Sequence, residues 1–414
     1  MVILIILLIS LLRLIVVPAV YVSSGYASKI QSTAGTNNLD EAVLLVSFEF
    51  ICTTMLILCS KKISRIRRMK NTKVEELHTI FTTPVKIIIF LLIIIAIGCV
   101  IANKSVLVSI TTIFERFFGS DQAAIERRIN LLEIRSNSSL VFNLFFQTVF
   151  YLQVIIPACL ISYAAKNRNT KNENKGFYAA LLFSLLSTLF VTDNNIDSIC
   201  ILLACILVVN SIYSQKMRKL FPFLITIIGV FIALFLLAKV GLLSSKEISL
   251  KEISETLNAY FSSLPNVSCS FSMQYENKIM TFFGDIIAGV PYMTALFRGF
   301  PKSVTIFNAT AYDSYGTVNQ IMPLISSGYQ FLGIFAPTFT IITYNIALNC
   351  EYKFKKSTGV FEKILYALMF INLSVGPCIF GFPNTIKRLC LYIPFVILIA
   401  LNKRSSRNYK KGLI

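Results

Sequence analysis

Apolar runs close to the length that crosses a bilayer recur along this chain. They lie at about 1–21, 41–60, 84–102, 139–163, 177–192, 196–214, 221–243, 326–348, 363–381 and 386–402. About 20 apolar residues in a helix span the hydrocarbon core. The runs therefore predict an all-α, polytopic integral membrane protein of about ten helices, or ten to twelve if some runs merge or hide a span. They are continuous rather than alternating, which argues against a membrane β-barrel. Only 14% of the 414 residues are charged and 55% are hydrophobic, whereas soluble chains carry roughly a quarter charged residues. No polar stretch reaches 100 residues, which excludes a soluble enzyme on a membrane anchor. Residues 1–414 read as a single transmembrane domain.

The net charge of +19 is not a nucleic-acid signature in such a chain, because basic residues are retained on the cytoplasmic side of membrane proteins. Five connections are densely basic: Lys61–Lys73, Lys166–Lys175, Lys216–Lys219, Lys353–Lys363 and Lys403–Lys411 hold 23 of the 39 Lys and Arg residues. Each follows an even-numbered run, so all five fall on one side, which the positive-inside rule makes the cytoplasm together with both termini. The other side receives 22–40, 103–138, 193–195, 244–325 and 382–385, with twelve of the twenty acidic residues. Two of these connections, 103–138 and 244–325, are long enough to be functional rather than mere linkers. Both are expected to contain short amphipathic helices. Asp121 can cap one that stripes Ile125, Ile129 and Leu132. Ser249 and Glu252 form a capping box before Ile253, Leu257, Phe261 and Leu264.

Nine of ten cysteines sit in or beside apolar runs and only Cys269 lies in a long polar loop, so no disulfide framework is implied. The single histidine, His78, cannot build a zinc site alone. No Asp-x-Asp or Walker A pattern occurs, and neither a metal nor another cofactor is implied. Arg13 falls mid-span, where a charge is costly. Its expected escape is to snorkel to an interface; the alternative is a polar cavity within the bundle.

Candidate chemistry concentrates outside the cytoplasmic face. Arg116, Arg127, Arg128 and Arg135 lie in the first long loop, Arg298 in the second, and Arg388 at the outer end of the last span. Guanidinium groups grip phosphate oxygens in a bidentate fork, which suits a lipid pyrophosphate; alternatively they pair with Glu115, Asp121, Glu126 and Glu133. Glu276 and Asp285 are the candidate general bases for a sugar hydroxyl, with caps or ion-pair partners as the plainer role.

The layout of ten or more helices, two long external loops and external arginines resembles the Wzy-type bacterial polysaccharide polymerases. The stretch Leu257–Asn266, LNAYFSSLPN, is similar to part of that family's second large loop. Ile325–Pro337, ISSGYQFLGIFAP, is similar to the glycine-containing approach to its following helix. The resemblance implies a glycosyltransferase in surface-polysaccharide biosynthesis, for O-antigen or capsule. A growing glycan on undecaprenyl pyrophosphate passes to the non-reducing end of a new lipid-linked repeat unit at the outer face of the cytoplasmic membrane. The arginines would hold the pyrophosphate, and Asp285 or Glu276 would activate the acceptor. Its partners would be the lipid-linked oligosaccharide, membrane lipid, and the pathway's chain-length regulator and flippase, with no nucleic acid. A lipid-linked oligosaccharide flippase or exporter is the alternative; a scaffold without chemistry explains the loops but not the arginines.

Overall fold

A computed structural model describes residues 1–23, 38–68, 83–110, 139–168, 170–187, 195–220, positions between 222 and 230, 250–293, 297, 299–315 and 321–411. Among them the regular structure is helical. In chain order the helices are α1 (Val2–Ser23), α2 (Leu39–Arg68), α3 (Thr83–Ala102), α4 (Ser139–Ala164), α5 (Glu173–Leu186) and α6 (Asn195–Ile212). They continue with α7 (Leu250–Phe261), α8 (Leu264–Phe271), α9 (Lys278–Gly289), α10 (Ser303–Tyr315), α11 (Leu324–Leu332), α12 (Thr338–Lys356), α13 (Val360–Ile379) and α14 (Phe382–Lys411).

Six of the described helices, α1–α4, α13 and α14, are long and apolar enough to cross a membrane, or seven if α11 and α12 together form one span. The protein is thus a multi-pass helical membrane protein. The expected runs near 177 and 196 correspond to the shorter helices α5 and α6, and the run at 221–243 falls mostly outside the described residues. The expected straight span 326–348 is instead bent by 112° between α11 and α12. Gly333, with φ of +58°, ends α11, and Pro337 cannot donate an N–H to continue the ladder. On α3, the large side chains Phe90, Ile97 and Ile101 are exposed, as lipid-facing positions should be.

The chain divides into two compact units. The first comprises Met1–Val74, Ala233–Glu351 and Asn372–Tyr392; the second comprises Glu75–Ile232, Tyr352–Ile371 and Ile393–Ile414.

In the first unit, α7 packs on the end of α1, and α8 packs on α2, α10 and α11. Ala42 and Val46 of α2, Val267 of α8, Ile325 of α11 and Ala336 form one buried cluster. Cys269, Met273, Phe307, Ala311 and Met322 form another. Phe382 stacks on Phe339, ring centroids 4.3 Å apart, and on Phe282 at 5.6 Å. The stripe expected through Leu264 is interrupted. Ser262 adopts φ of +43° and Pro265 sits in the first turn of α8, so two short helices replace one.

In the second unit, α4 packs against both α3 and α5, with Cys99, Val106 and Phe145 in a shared cluster. The Tyr213 hydroxyl donates to the Ala164 carbonyl at 2.9 Å, closing the end of α6 onto the end of α4. Gln153 Nε2 donates to Ser187 O and to Ser198 Oγ, both at 3.0 Å, so a buried amide has partners from two directions.

Candidate functional site

Of the residues singled out by sequence, Arg116, Arg127, Arg128, Arg135 and Arg298 lie outside the described residues, as do Asp121, Ile125, Ile129, Leu132 and Ser249. Asp285, Glu276 and Arg388 are placed, and no ion pair joins Arg388 to either carboxylate.

Asp285 sits on α9 and is fully buried. Asn277 begins that helix, its side chain accepting the Met280 N–H at 3.0 Å. Ser303 opens α10; its N–H donates to Asp285 Oδ1 at 2.9 Å and its hydroxyl to Oδ2. The carboxylate therefore supplies partners to the otherwise unsatisfied, buried amide end of α10, where negative charge is favoured. Burial pushes the Asp285 carboxyl up to about 6, while the two Ser303 bonds and Lys302 pull it back toward the ionised form. Tyr275 is pushed up by burial and then by the nearby Asp285 charge. Both oxygens of Asp285 are engaged, which is the geometry of a cap. Glu276 is exposed. Arg388 is buried on α14 with its guanidinium carbon 3.9 Å from the centroid of the Phe380 ring, a stacked cation that keeps its donors at the edge of the plane.

Two measurements follow for Asp285. Asp285→Ala leaves the Ser303 donors without their acceptor and should cost about 1–3 kcal/mol of stability, read by thermal unfolding of the full-length protein in detergent. The pH dependence has a defined sign. An acid raised from 3.8 to about 6 on folding contributes stability that is present below its unfolded value and lost as pH rises through about 6. Asp285→Asn should flatten that fall; an unchanged slope would assign it to other groups.

A buried polar constellation among the described apolar helices was not anticipated as a site. Arg13 of α1 and Glu49 of α2, 4% and 5% exposed, form an ion pair with Nη1 to Oε2 at 2.9 Å. The second Glu49 oxygen accepts from the Thr340 hydroxyl of α12 at 2.6 Å. The other terminal nitrogen of Arg13 donates to the Ser262 carbonyl at 3.4 Å. Tyr344 and Cys378 are its further electrostatic neighbours. A cavity of about 10 Å³, lined by Arg13, Glu49, Thr53, Ser10 and Tyr344 among others, borders the pair, and this is room for about one water.

The sequence builds this centre through Pro18. A π-helical turn spans Leu12–Val16, with the Val17 N–H bonding Leu12 O, five residues back. In that register the Arg13 carbonyl should receive the N–H of position 18, and proline has none. The Ser263 hydroxyl donates to it instead, at 2.9 Å. Side chain and carbonyl of one residue thus hold the α7–α8 junction from both sides. The snorkelling expected for Arg13 does not occur: it is paired inside the unit, because an opposite charge is in reach and the apolar surroundings penalise a lone one. Two mid-span charges of opposite sign, plus a proline five residues after the first, were the available sequence signals.

No protein-family model, curated protein or solved structure matches this chain.

Proposed function

We propose that this protein polymerises a surface polysaccharide in the cytoplasmic membrane. It would transfer a growing glycan from undecaprenyl pyrophosphate to the non-reducing end of a lipid-linked repeat unit at the outer face. One observation carries the reading. The long polar stretch between the apolar runs is folded into four short helices, α7–α10, anchored on α1 through Arg13, Ser262 and Ser263 and packed on α2 through α8. An ordered layer of that kind suits a reaction centre better than a transport path with short loops. Ten spans with both termini in the cytoplasm complete the arrangement, and the pathway's chain-length regulator and flippase are the partners it would meet.

On this reading Arg116, Arg127, Arg128, Arg135, Arg298 and Arg388 hold the pyrophosphate and stabilise the charge developing on the leaving group. Glu276, being exposed, is better placed to meet an acceptor hydroxyl than Asp285, whose oxygens serve Ser303. Arg128→Ala or Arg298→Ala should abolish polymer while protein remains in the membrane; full-length polymer in both variants would remove the arginine site.

A flippase is the second reading, favoured by the buried Arg13–Glu49 pair and the bent α11–α12 segment, since intramembrane charges and broken helices mark transport paths. The lipid-linked glycans of a strain lacking the gene separate the two. Single repeat units at the outer face without longer chains support the polymerase; repeat units held at the cytoplasmic face support the flippase.

A further inference from the structure

A cavity of about 140 Å³ lies between α9 and the end of α11, lined by Lys278, Ile279, Phe282, Gln330, Phe331 and Leu332. Its walls are apolar and aromatic, with Phe282 and Phe331 meeting edge to face at 5.1 Å. The volume is close to that of an engineered apolar cavity, about 150 Å³, that admits benzene, so it takes one segment of a hydrocarbon chain rather than a whole lipid. The surroundings supply the source of such a chain. On α9 Ile279 is 69% exposed and Met280 and Phe283 are exposed too; after α11 Ile334 is 80% exposed and Phe335 70%. Exposed apolar side chains on the short amphipathic α9 and in the turn that follows α11 belong against lipid in a membrane protein.

The polar end of the cavity is cationic. Lys278 is exposed, its ammonium 5.9 Å from the Tyr275 ring centroid, and no described carboxylate pairs with it. It is also the first residue of α9, where the helix dipole adds positive potential. A chain in the cavity therefore ends beside one positive charge. A phosphodiester carries a single negative charge, which one ammonium balances; a pyrophosphate carries more than this mouth can neutralise.

We propose that this cavity binds one acyl chain of an anionic phospholipid from the surrounding bilayer, with the lipid phosphate on Lys278 Nζ. The site does not depend on the polymerase reading, because its occupant is the solvent of the protein rather than its substrate. A lipid held there would pin α9, which carries Asp285, to the end of α11.

Native mass spectrometry of the full-length protein, released from detergent after addition of phosphatidylglycerol, phosphatidylethanolamine or undecaprenyl phosphate, tests this. Wild-type protein should retain a first phosphatidylglycerol in preference to phosphatidylethanolamine. Lys278→Ala should weaken that retention about fivefold, the factor one lysine near an anionic surface contributes. Ile279→Trp, which fills the mouth and keeps the charge, should weaken it as well. Both positions are exposed, so unfolding midpoints should match wild type and a loss of binding is not a loss of fold. Equal retention of phosphatidylglycerol by Lys278→Ala, by Ile279→Trp, or of phosphatidylethanolamine by wild type overturns the proposal. So does displacement of phosphatidylglycerol by an equal amount of undecaprenyl phosphate, which would make the cavity a carrier-lipid site.

Discussion

Arg13→Ala or Glu49→Ala should each destabilise the full-length protein by about 3–5 kcal/mol, the cost of leaving one half of a buried ion pair uncompensated. Among the described residues, no second ion pair reaches either survivor. Glu49 would keep the Thr340 hydroxyl, and Arg13 the Ser262 carbonyl at 3.4 Å beside the uncharged Cys378 and Tyr344 side chains. Converting both together, Arg13→Met with Glu49→Met, should recover most of the loss, because two apolar groups of similar length need no partner. A double-mutant cycle on unfolding in detergent or nanodiscs reads the coupling directly. Additive losses would mean that the pair is not formed in the membrane. The same cycle asks a second question of the glycan profile. If the double variant is as stable as wild type and still makes no polymer, the charges serve more than folding. If polymer returns with stability, the pair is a joint between α1, α2, α12 and the α7–α8 junction.

That joint shows what sequence could and could not reveal. Helices α1–α4, α13 and α14 follow from continuous apolar runs, because in a bilayer the backbone must satisfy itself and a long apolar segment has one economical solution. The bend between α11 and α12 was written in Gly333 and Pro337, yet counting apolar residues alone carries it through as one span. Asp285 is a harder case. Its partner Ser303 is 18 residues away, and no local spacing links a carboxylate on one short helix to the first turn of another. The same holds for Arg13 and Glu49, 36 residues apart: each charge was visible, whereas their meeting is a fact of packing. Arg388 was visible at the outer end of the last span, whereas the Phe380 ring 3.9 Å from its guanidinium carbon is again a fact of packing.

Among the described glycines of the first unit, Gly284 and Gly328 make equally close backbone approaches, each with a main-chain carbonyl oxygen 2.0 Å from an added Cβ, and Gly328 is the other position of large effect. A Cβ built there would lie 2.0 Å from the Ala336 carbonyl oxygen and 2.8 Å from its carbon, so the obstacle is main chain and no rotamer can relieve it. Nor can Ala336 withdraw freely, since it is 1% exposed and packed with Ala42, Val46, Val267 and Ile325. Gly328→Ala should therefore cost about 3 kcal/mol, the upper end of overpacking, and should loosen α11 from α2 and α8. Gly333→Ala is the informative companion. Nothing lies within 4 Å of its added Cβ, so its cost of about 1–3 kcal/mol is pure backbone strain at φ of +58° and ψ of −118°. Gly98→Ala, on α3 with open space around it, should be neutral or stabilising by up to about 1 kcal/mol. Unfolding midpoints ranked Gly98→Ala highest and Gly328→Ala lowest are expected. If Gly328→Ala unfolds with wild type, the chain does not double back on Ala336, and the 112° bend would have to open into a straight span.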